Sequence, residues 1–477
     1  MNSRSIGICC LAWICLAVPQ QVVADDLPAA IKRVLRVHKI PAEAVSLVVQ
    51  ATDEEHPRLT LNSDVARNPA STIKLVTTWT ALDMLGPTHT WRTDVFALGP
   101  VKNGTLKGDL LIRGGGDPYF LLEDFWKLLG EVRAAGIQHI EGDLLLDDSL
   151  FEVDEHDPGE FDGDRFRLYN VLPAAMMVNF KAIKFMINPH PDGKHMLVTT
   201  VPELSNLTIT NRIKAVAGPC KGKAPQIVMD TASADDPDHV VFSGKMPRSC
   251  RNYSLERTAM TANSYAFGVF KTLWGHWGGT IDGGHRHATL TQKTRPLVTW
   301  RSRHLGEVIR PLNKWSNNLM TRMLLYSISE AQHPAPATRA KGSQALREHL
   351  KSRGLDVSQL LLDNGSGLSR DTRVTARFMT DLLRQAWYRP SMPEFVASLA
   401  IAGKDGTVRK RFRGKKQSGS MHLKTGSLDN VSAISGYVHT EKKRTFVVAL
   451  LINGRGVNYG IGKNVQDALL AWTYAQE

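Results

Sequence analysis

Residues 71 to 86 read Ser71-Thr72-Ile73-Lys74-Leu75-Val76-Thr77-Thr78-Trp79-Thr80-Ala81-Leu82-Asp83-Met84-Leu85-Gly86. Leu75, Val76, Trp79, Leu82 and Leu85 recur at helical spacing and Gly86-Pro87 supplies a stop, so the stretch predicts a helix that begins near Ser71. Its first turn carries a hydroxyl and an amine three positions apart, which a helix makes neighbours on its surface. A serine there also holds its own backbone N–H in the positive end of the helix dipole, where a developing oxyanion is stabilised. Alone the spacing is a weak signal, because a capping serine near a solvated lysine is spelled the same way.

Working outward, 44–51 and 58–62 read as strands around the polar turn Asp53-Glu54-Glu55-His56-Pro57, a hairpin. From about Thr93 to Pro296 the chain turns to short strands with frequent Gly and Pro turn signals, and helical patterns recur at 124–134 and 263–274. Past Arg301 it is helical through 317–330, 337–353 and 375–387. Strands at 421–424, 432–440 and 444–453 then form a meander, and a helix at 462–475 closes the chain. Helices packed on an antiparallel sheet drawn from both ends of the sequence make an α+β fold carrying a large β-rich insertion. The expected division is one domain from 25–92 and 297–477, a second from 93–174 and 263–296, and a third from 175–262.

At 477 residues the chain exceeds one ordinary core, and 42% hydrophobic with 22% charged residues is the balance of folded protein. The first residues have one charged side chain, Arg4, then an apolar run from Ile6 to Val18 and small residues up to Ala24 before Asp25-Asp26. That is the pattern of a signal peptide (1–24) cleaved after Ala24, and the run falls short of the ~20 residues a membrane-spanning helix needs. No later segment approaches that length, so the mature chain is expected to be exported without a transmembrane anchor. Of five cysteines only Cys220 and Cys250 then remain. An even pair in an oxidising compartment favours a disulfide, with two buried free thiols as the alternative.

The formal net charge of +13 favours a polyanionic surface or substrate. The densest run, Arg409-Lys410-Arg411-Phe412-Arg413-Gly414-Lys415-Lys416, comes with no nucleic-acid motif, and export leaves the anionic cell wall as the polyanion within reach. Sixteen histidines include no His-Glu-x-x-His, and the local cluster Asp282, His285 and His287 matches no ligand spacing, so neither a metal nor a cofactor is expected.

Two further motifs sharpen the first. Ser316-Asn317-Asn318 and Lys424-Thr425-Gly426 follow Ser71-Thr72-Ile73-Lys74 in that order, each unique in the chain. Together they resemble the penicillin-recognising serine transferases and hydrolases, whose motifs are Ser-x-x-Lys, Ser-x-Asn and Lys-Thr/Ser-Gly. More narrowly, the chain resembles the class C low-molecular-mass penicillin-binding proteins, the D-Ala-D-Ala carboxypeptidases and endopeptidases of peptidase family S13, which also carry a large insertion between the first two motifs. Gly115-Gly116-Asp117-Pro118, Asn364-Gly365-Ser366-Gly367-Leu368-Ser369-Arg370 and Gly403-Lys404-Asp405-Gly406-Thr407 extend the likeness over nearly the whole mature sequence.

The resemblance implies a penicillin-binding, β-lactamase-like transpeptidase domain and a periplasmic enzyme that acts on peptidoglycan stem peptides and is inhibited by β-lactam antibiotics. Ser71 would be the nucleophile, Lys74 the general base, Ser316 the proton relay and Asn318 a holder of the substrate amide. Lys424 and Thr425 would bind the terminal carboxylate, Gly426 completes their motif, and Ser427 would share the oxyanion hole with Ser71. Asp147 and Arg370 would meet the amine and carboxylate of a diamino acid, while Asp429 replaces the glutamine found in the best-known members. Two rivals remain. A β-lactamase on the same scaffold would be compact, without the long middle region. A non-catalytic wall-binding sensor would keep the fold but would not need three intact motifs.

Overall fold

The computed structural model describes residues 27–154, 156–220, 226–291 and 294–477; the expected signal peptide lies outside them. Its centre is a six-stranded sheet in the order Ala400–Ile401, Met421–Leu428, Val431–His439, Thr445–Asn453, Val45–Ala51, Leu59–Leu61, antiparallel at every pairing. The meander and the hairpin expected from the sequence are both present. What joins them is the pairing of Val45–Ala51 with Thr445–Asn453, across almost the full length of the chain.

Period-two alternation explains why this sheet is covered on both sides. Phe446, Val448, Leu450 and Ile452 pack with the helices Ala29–Val37 and Ile461–Tyr474, whereas Val447, Ala449 and Leu451 face the opposite cluster. That second cluster is built by the helices Lys74–Leu85, Leu305–Trp315, Asn318–Gln332, Arg339–Ser352 and Ala376–Trp387. Because both faces are buried, the strand Thr445–Asn453 is apolar without interruption from Phe446 to Ile452.

Between the two halves of this layer, a five-stranded mixed sheet runs His285–His287, Leu144–Asp147, Asp109–Arg113, Arg92–Leu98, Val298–Arg301. A small four-stranded sheet and two three-stranded sheets accompany it. One continuous apolar cluster joins this sheet to the helices Leu122–Ala134 and Ala262–His276 and to the strands Ile183–Pro189 and Asp236–Pro247. Cys220 and Cys250 are bonded to each other.

Two differences from the sequence reading bear on function. The strand expected to end at Lys424 continues to Leu428, carrying Thr425, Gly426 and Ser427 in extended backbone. The helix Leu305–Trp315, which ends against Ser316, lies ahead of the first helix expected past Arg301 and forms with Pro311 inside it.

The helices are tied by one carboxylate. Asp83, on Lys74–Leu85, accepts hydrogen bonds from His349 Nε2 (2.8 Å), Arg353 Nε (2.6 Å) and Arg389 Nε (2.9 Å), which lie on or just past two other helices. Burial pushes its pKa up, but these hydrogen bonds and the two arginine charges outweigh burial and hold the carboxyl below its ordinary value. Asp83→Ala is expected to lower the unfolding free energy by about 2 kcal/mol, short of a fully buried pair because both arginines keep a share of water. A depressed folded-state pKa stabilises above the unfolded value and is lost as pH falls through the folded one, so the deficit should close under acid conditions. Urea titrations at neutral and acid pH measure this, and a deficit that persists unchanged in acid would contradict it.

Candidate active site

The nucleophile candidate is raised by a strained turn. Ala70 adopts φ 43°, an uncommon value for a residue with a side chain, and its N–H donates to Asn68 Oδ1 (2.8 Å). Asn68 Nδ2 in turn donates to the Ser369 carbonyl (2.9 Å). Ala70–Ile73 then form a tight 3-10 turn that runs into the helix Lys74–Leu85, so Ser71 stands at its mouth and Lys74 begins its regular part.

Lys74 is fully buried, and its Nζ donates to Ser71 Oγ (3.0 Å), to Asn318 Oδ1 (2.7 Å) and to the Ser366 carbonyl. All three acceptors are uncharged. Burial, then the charges of Lys424 and Arg322, lower its pKa well below that of a free lysine. An amine that gives up its proton readily, within reach of a hydroxyl, suits a general base.

Ser316 caps the helix Leu305–Trp315 in left-handed conformation (φ 62°), and Asn317 Oδ1 caps the next helix by accepting from Met320 N (3.0 Å). The abrupt turn between two helices sends Ser316 and Asn318 into one space. Lys424 Nζ donates to Ser316 Oγ (2.8 Å) and to the Thr425 carbonyl (2.8 Å). This lysine too is fully buried, which brings its pKa down to about 7. Among the described residues neither lysine has a carboxylate partner.

Gly426 explains how the strand comes so close. A Cβ there would sit 2.5 Å from the Pro69 carbonyl oxygen and 3.0 Å from the Ser71 nitrogen, so only glycine lets this backbone lie against the nucleophile's turn. Ser427 follows, exposed at the cleft. Thr425 Oγ1 is 2.9 Å from Thr407 Oγ1, which belongs to the Gly403–Thr407 stretch.

The three motifs therefore meet, whereas the other expected contacts separate. Arg370 and Asp429 lie at the cleft mouth, 3.7 Å apart, with the Arg370 guanidinium 4.6 Å above the Phe161 ring. Asp147 does not join them. Its carboxylate is fully buried and takes hydrogen bonds from Arg113 Nε, Leu290 N, and Ser149 N and Oγ, so it staples the five-stranded sheet and faces no cleft. Asp282, His285 and His287 also diverge: the first meets His139, the second stacks on Phe267 and the third meets Asp148.

Some contributors escaped sequence reasoning. Ser366 acts through its carbonyl, and any residue has one; the signal was the Gly-Ser-Gly loop itself, whose Gly367 packs against the Ala70 carbonyl. Arg322 lies one turn after Asn318 on the same helix face, which spacing could have suggested. Asn318 Nδ2 reaches the Tyr169 carbonyl (3.3 Å), a contact from the inserted region that only folding creates.

The sequence profile of the D-Ala-D-Ala carboxypeptidase 3 (S13) family matches residues 27–476. A D-alanyl-D-alanine carboxypeptidase from an Actinomadura species is 31% identical over 385 residues, 78% of this chain and 70% of that protein. Penicillin-binding protein 4 of Haemophilus influenzae superposes with a TM-score of 0.79 at 21% identity, covering 94% of this chain and 99% of that one, and has also been solved with a β-lactam. A predatory peptidoglycan endopeptidase of Bdellovibrio bacteriovorus shares the fold at a TM-score of 0.53 and 16% identity, covering 91% and 93%.

Lys424→Met takes a like charge from beside Lys74, so the Lys74 pKa is expected to rise and its neutral fraction at neutral pH to fall. Carbon-13 NMR titration of labelled lysine side chains reads that shift, and an unmoved Lys74 curve would refute the coupling.

Proposed function

The chain belongs to the D-Ala-D-Ala carboxypeptidase 3 (S13) family, and from that premise we propose that it hydrolyses the bond between D-alanines at the end of peptidoglycan stem peptides through a Ser71 acyl-enzyme. The observation that carries this reading is the pair of buried lysines without a carboxylate partner among the described residues, one 3.0 Å from the Ser71 hydroxyl and the other on the strand beside Ser316. The first is a base for the nucleophile. The second is a receptor for a carboxylate.

Neutral Lys74 takes the Ser71 proton as Oγ attacks the carbonyl carbon of the penultimate D-alanine. The carbonyl oxygen gains negative charge and is met by the backbone N–H groups of Ser71 and Ser427. Asn318 holds the amide of the acyl part, while Lys424 and Thr425 hold the carboxylate of the terminal D-alanine. The proton that Lys74 took is relayed through Ser316 to the leaving nitrogen as the C–N bond breaks, so free D-alanine departs and Lys74 is neutral again. Water then adds to the ester carbonyl, Lys74 accepts its proton, and Ser71 leaves protonated. A β-lactam offers the same carbonyl and carboxylate and would acylate Ser71.

The diamino acid of the stem fits the cleft beside Arg370, a cavity of about 510 Å³ whose walls include Asp157, Glu160, Asp363 and Asp371. Arg370 offers a guanidinium to its carboxylate, and Glu160 and Asp371 offer charge to its amine, whereas Asp157 and Asp363 are paired with Arg165 and Arg339. Asp429, tied to Arg370, sets a negative end on that mouth. Such a substrate lies outside the cytoplasm, which fits the signal-like first residues and a periplasmic location. Among the described residues no helix is long and apolar enough to cross a membrane.

Incubation with a stem pentapeptide ending in D-Ala-D-Ala should release D-alanine, read by mass spectrometry, and Ser71→Ala should abolish it; equal release by both proteins would end the proposal. The pH dependence of kcat/KM should be bell-shaped. Activity rises on the acid side as Lys74 loses its proton and falls near pH 7 and above, where Lys424 loses the charge that receives the carboxylate. A profile still rising well above that pH would rule out Lys424 as the titrating carboxylate receptor.

A further inference from the structure

A second cavity, of about 210 Å³, lies in the inserted region behind the wall of the reaction cleft. Val171, Leu172, Pro173, Met177 and Ala262 give it apolar walls, while Arg165 and Lys181 bring two cations and Thr258 a hydroxyl. Among the described residues no carboxylate lines it.

The polar groups here lack partners. Lys181 Nζ donates to the Met260 carbonyl (2.7 Å) and has no ion pair among the described residues. Asp238 acts on it only at longer range and accepts from Ser264 Oγ instead. Burial lowers the Lys181 pKa to about 8, with the charge of Asp238 working the other way, so at neutral pH the amine keeps its proton. Thr258 is 4% exposed, its N–H is spent on the Phe166 carbonyl (2.9 Å), and its Oγ1 is buried with no partner among the described residues. A buried hydroxyl without a partner costs stability, and a protonated amine against apolar walls calls for an anion.

Pro158, Leu172 and Pro173 also line the cleft beside Arg370, so one wall separates the two spaces. Arg165 spans it, because its guanidinium pairs at 3.3 Å with Asp157, a carboxylate of that cleft. Both partners are largely exposed, which makes the pair weak and easily exchanged. We propose that the cavity is a site for a short aliphatic carboxylate, whose anionic end takes Lys181, Thr258 and Arg165 and whose chain lies along Leu172, Pro173 and Met177, and that its binding frees Asp157 for the amine of the stem peptide. The site stands on its own geometry; its effect on the peptide rests on the hydrolase reading above. A cavity of about 150 Å³ lined by apolar side chains holds benzene, so this one takes a chain of about six carbons with its carboxylate.

Hexanoate is the probe. Calorimetry on the full chain should show saturable binding that is about tenfold weaker for Lys181→Met and for Thr258→Val, each of which removes a hydrogen bond to the charged end. Thr258→Val keeps the shape of the side chain and deletes a hydroxyl the fold does not use, so its result stands even if Lys181→Met does not fold. Lys424→Met, which removes the carboxylate receptor of the reaction cleft, should leave the affinity unchanged. The site is overturned by any of four results: no saturable binding, equal binding of hexan-1-ol, an affinity unmoved by Lys181→Met and Thr258→Val, or loss in Lys424→Met. On Ser71→Ala protein, saturating hexanoate should tighten the stem pentapeptide about threefold, and Arg165→Gln, which frees Asp157 permanently, should abolish that gain. A pentapeptide affinity indifferent to hexanoate overturns the coupling. Failure of the hydrolase reading has a different signature, since wild-type protein would then release no D-alanine while hexanoate binding still judges the site.

Discussion

Two lysine side chains buried side by side, without a carboxylate partner among the described residues, are the constraint around which this structure is arranged. Removing an ammonium group from water is costly unless it is neutralised or hydrogen-bonded. Here Lys74 and Lys424 are satisfied by neutral oxygens alone: two hydroxyls, an amide and two backbone carbonyls. Burial, and for Lys74 the neighbouring charges of Lys424 and Arg322, lowers both proton affinities, and among the described residues no carboxylate pairs with either amine. In the proposed reaction their partners are the Ser71 hydroxyl and the substrate carboxylate, so the cost of burying two amines is converted into reactivity and affinity.

Holding such a site requires backbone in unfavourable places. Ala70 and Ser316 both adopt positive φ, and Gly426 and Gly367 pass so near the Ser71 turn that no side chain fits. The covering apolar layers on both faces of the six-stranded sheet supply the rigidity that keeps these strained points in register. Asp83 works to the same end from beneath, binding three helices behind the nucleophile with one carboxylate.

The cleft is asymmetric in charge. Its acyl side gathers carboxylates around Arg370 and Phe161, and its leaving side is basic around Trp315. A peptide with amines at one end and carboxylates at the other would be oriented before any bond is broken. The inserted region lines the cleft beside Arg370 with Asp157, Glu160 and Phe161 and reaches Asn318 through the Tyr169 carbonyl, whereas Trp315, Thr407 and Thr425 come from the layer that carries the motifs.

The local chemistry could be read directly from residue order. Ser71 and Lys74 meet because a helical turn returns every three to four residues, and the meander at the carboxyl end announces itself by alternation and a tight turn. The even cysteine pair likewise needed only export to suggest its bond. Three separated motifs, each on its own element, identified the family. Tertiary structure decided what depends on distant segments: that Val45–Ala51 completes the sheet, that the Lys424 strand runs on past Gly426, and that a helix ends at Ser316 despite Pro311. It also decided that Asp147 is a buried staple and that the Ser366 carbonyl holds Lys74. The reason is physical. Spacing fixes which groups share a turn or a strand face, but burial, proton affinity and the partner of a charge are set by what packs across from it, and in this chain those partners come from hundreds of residues away.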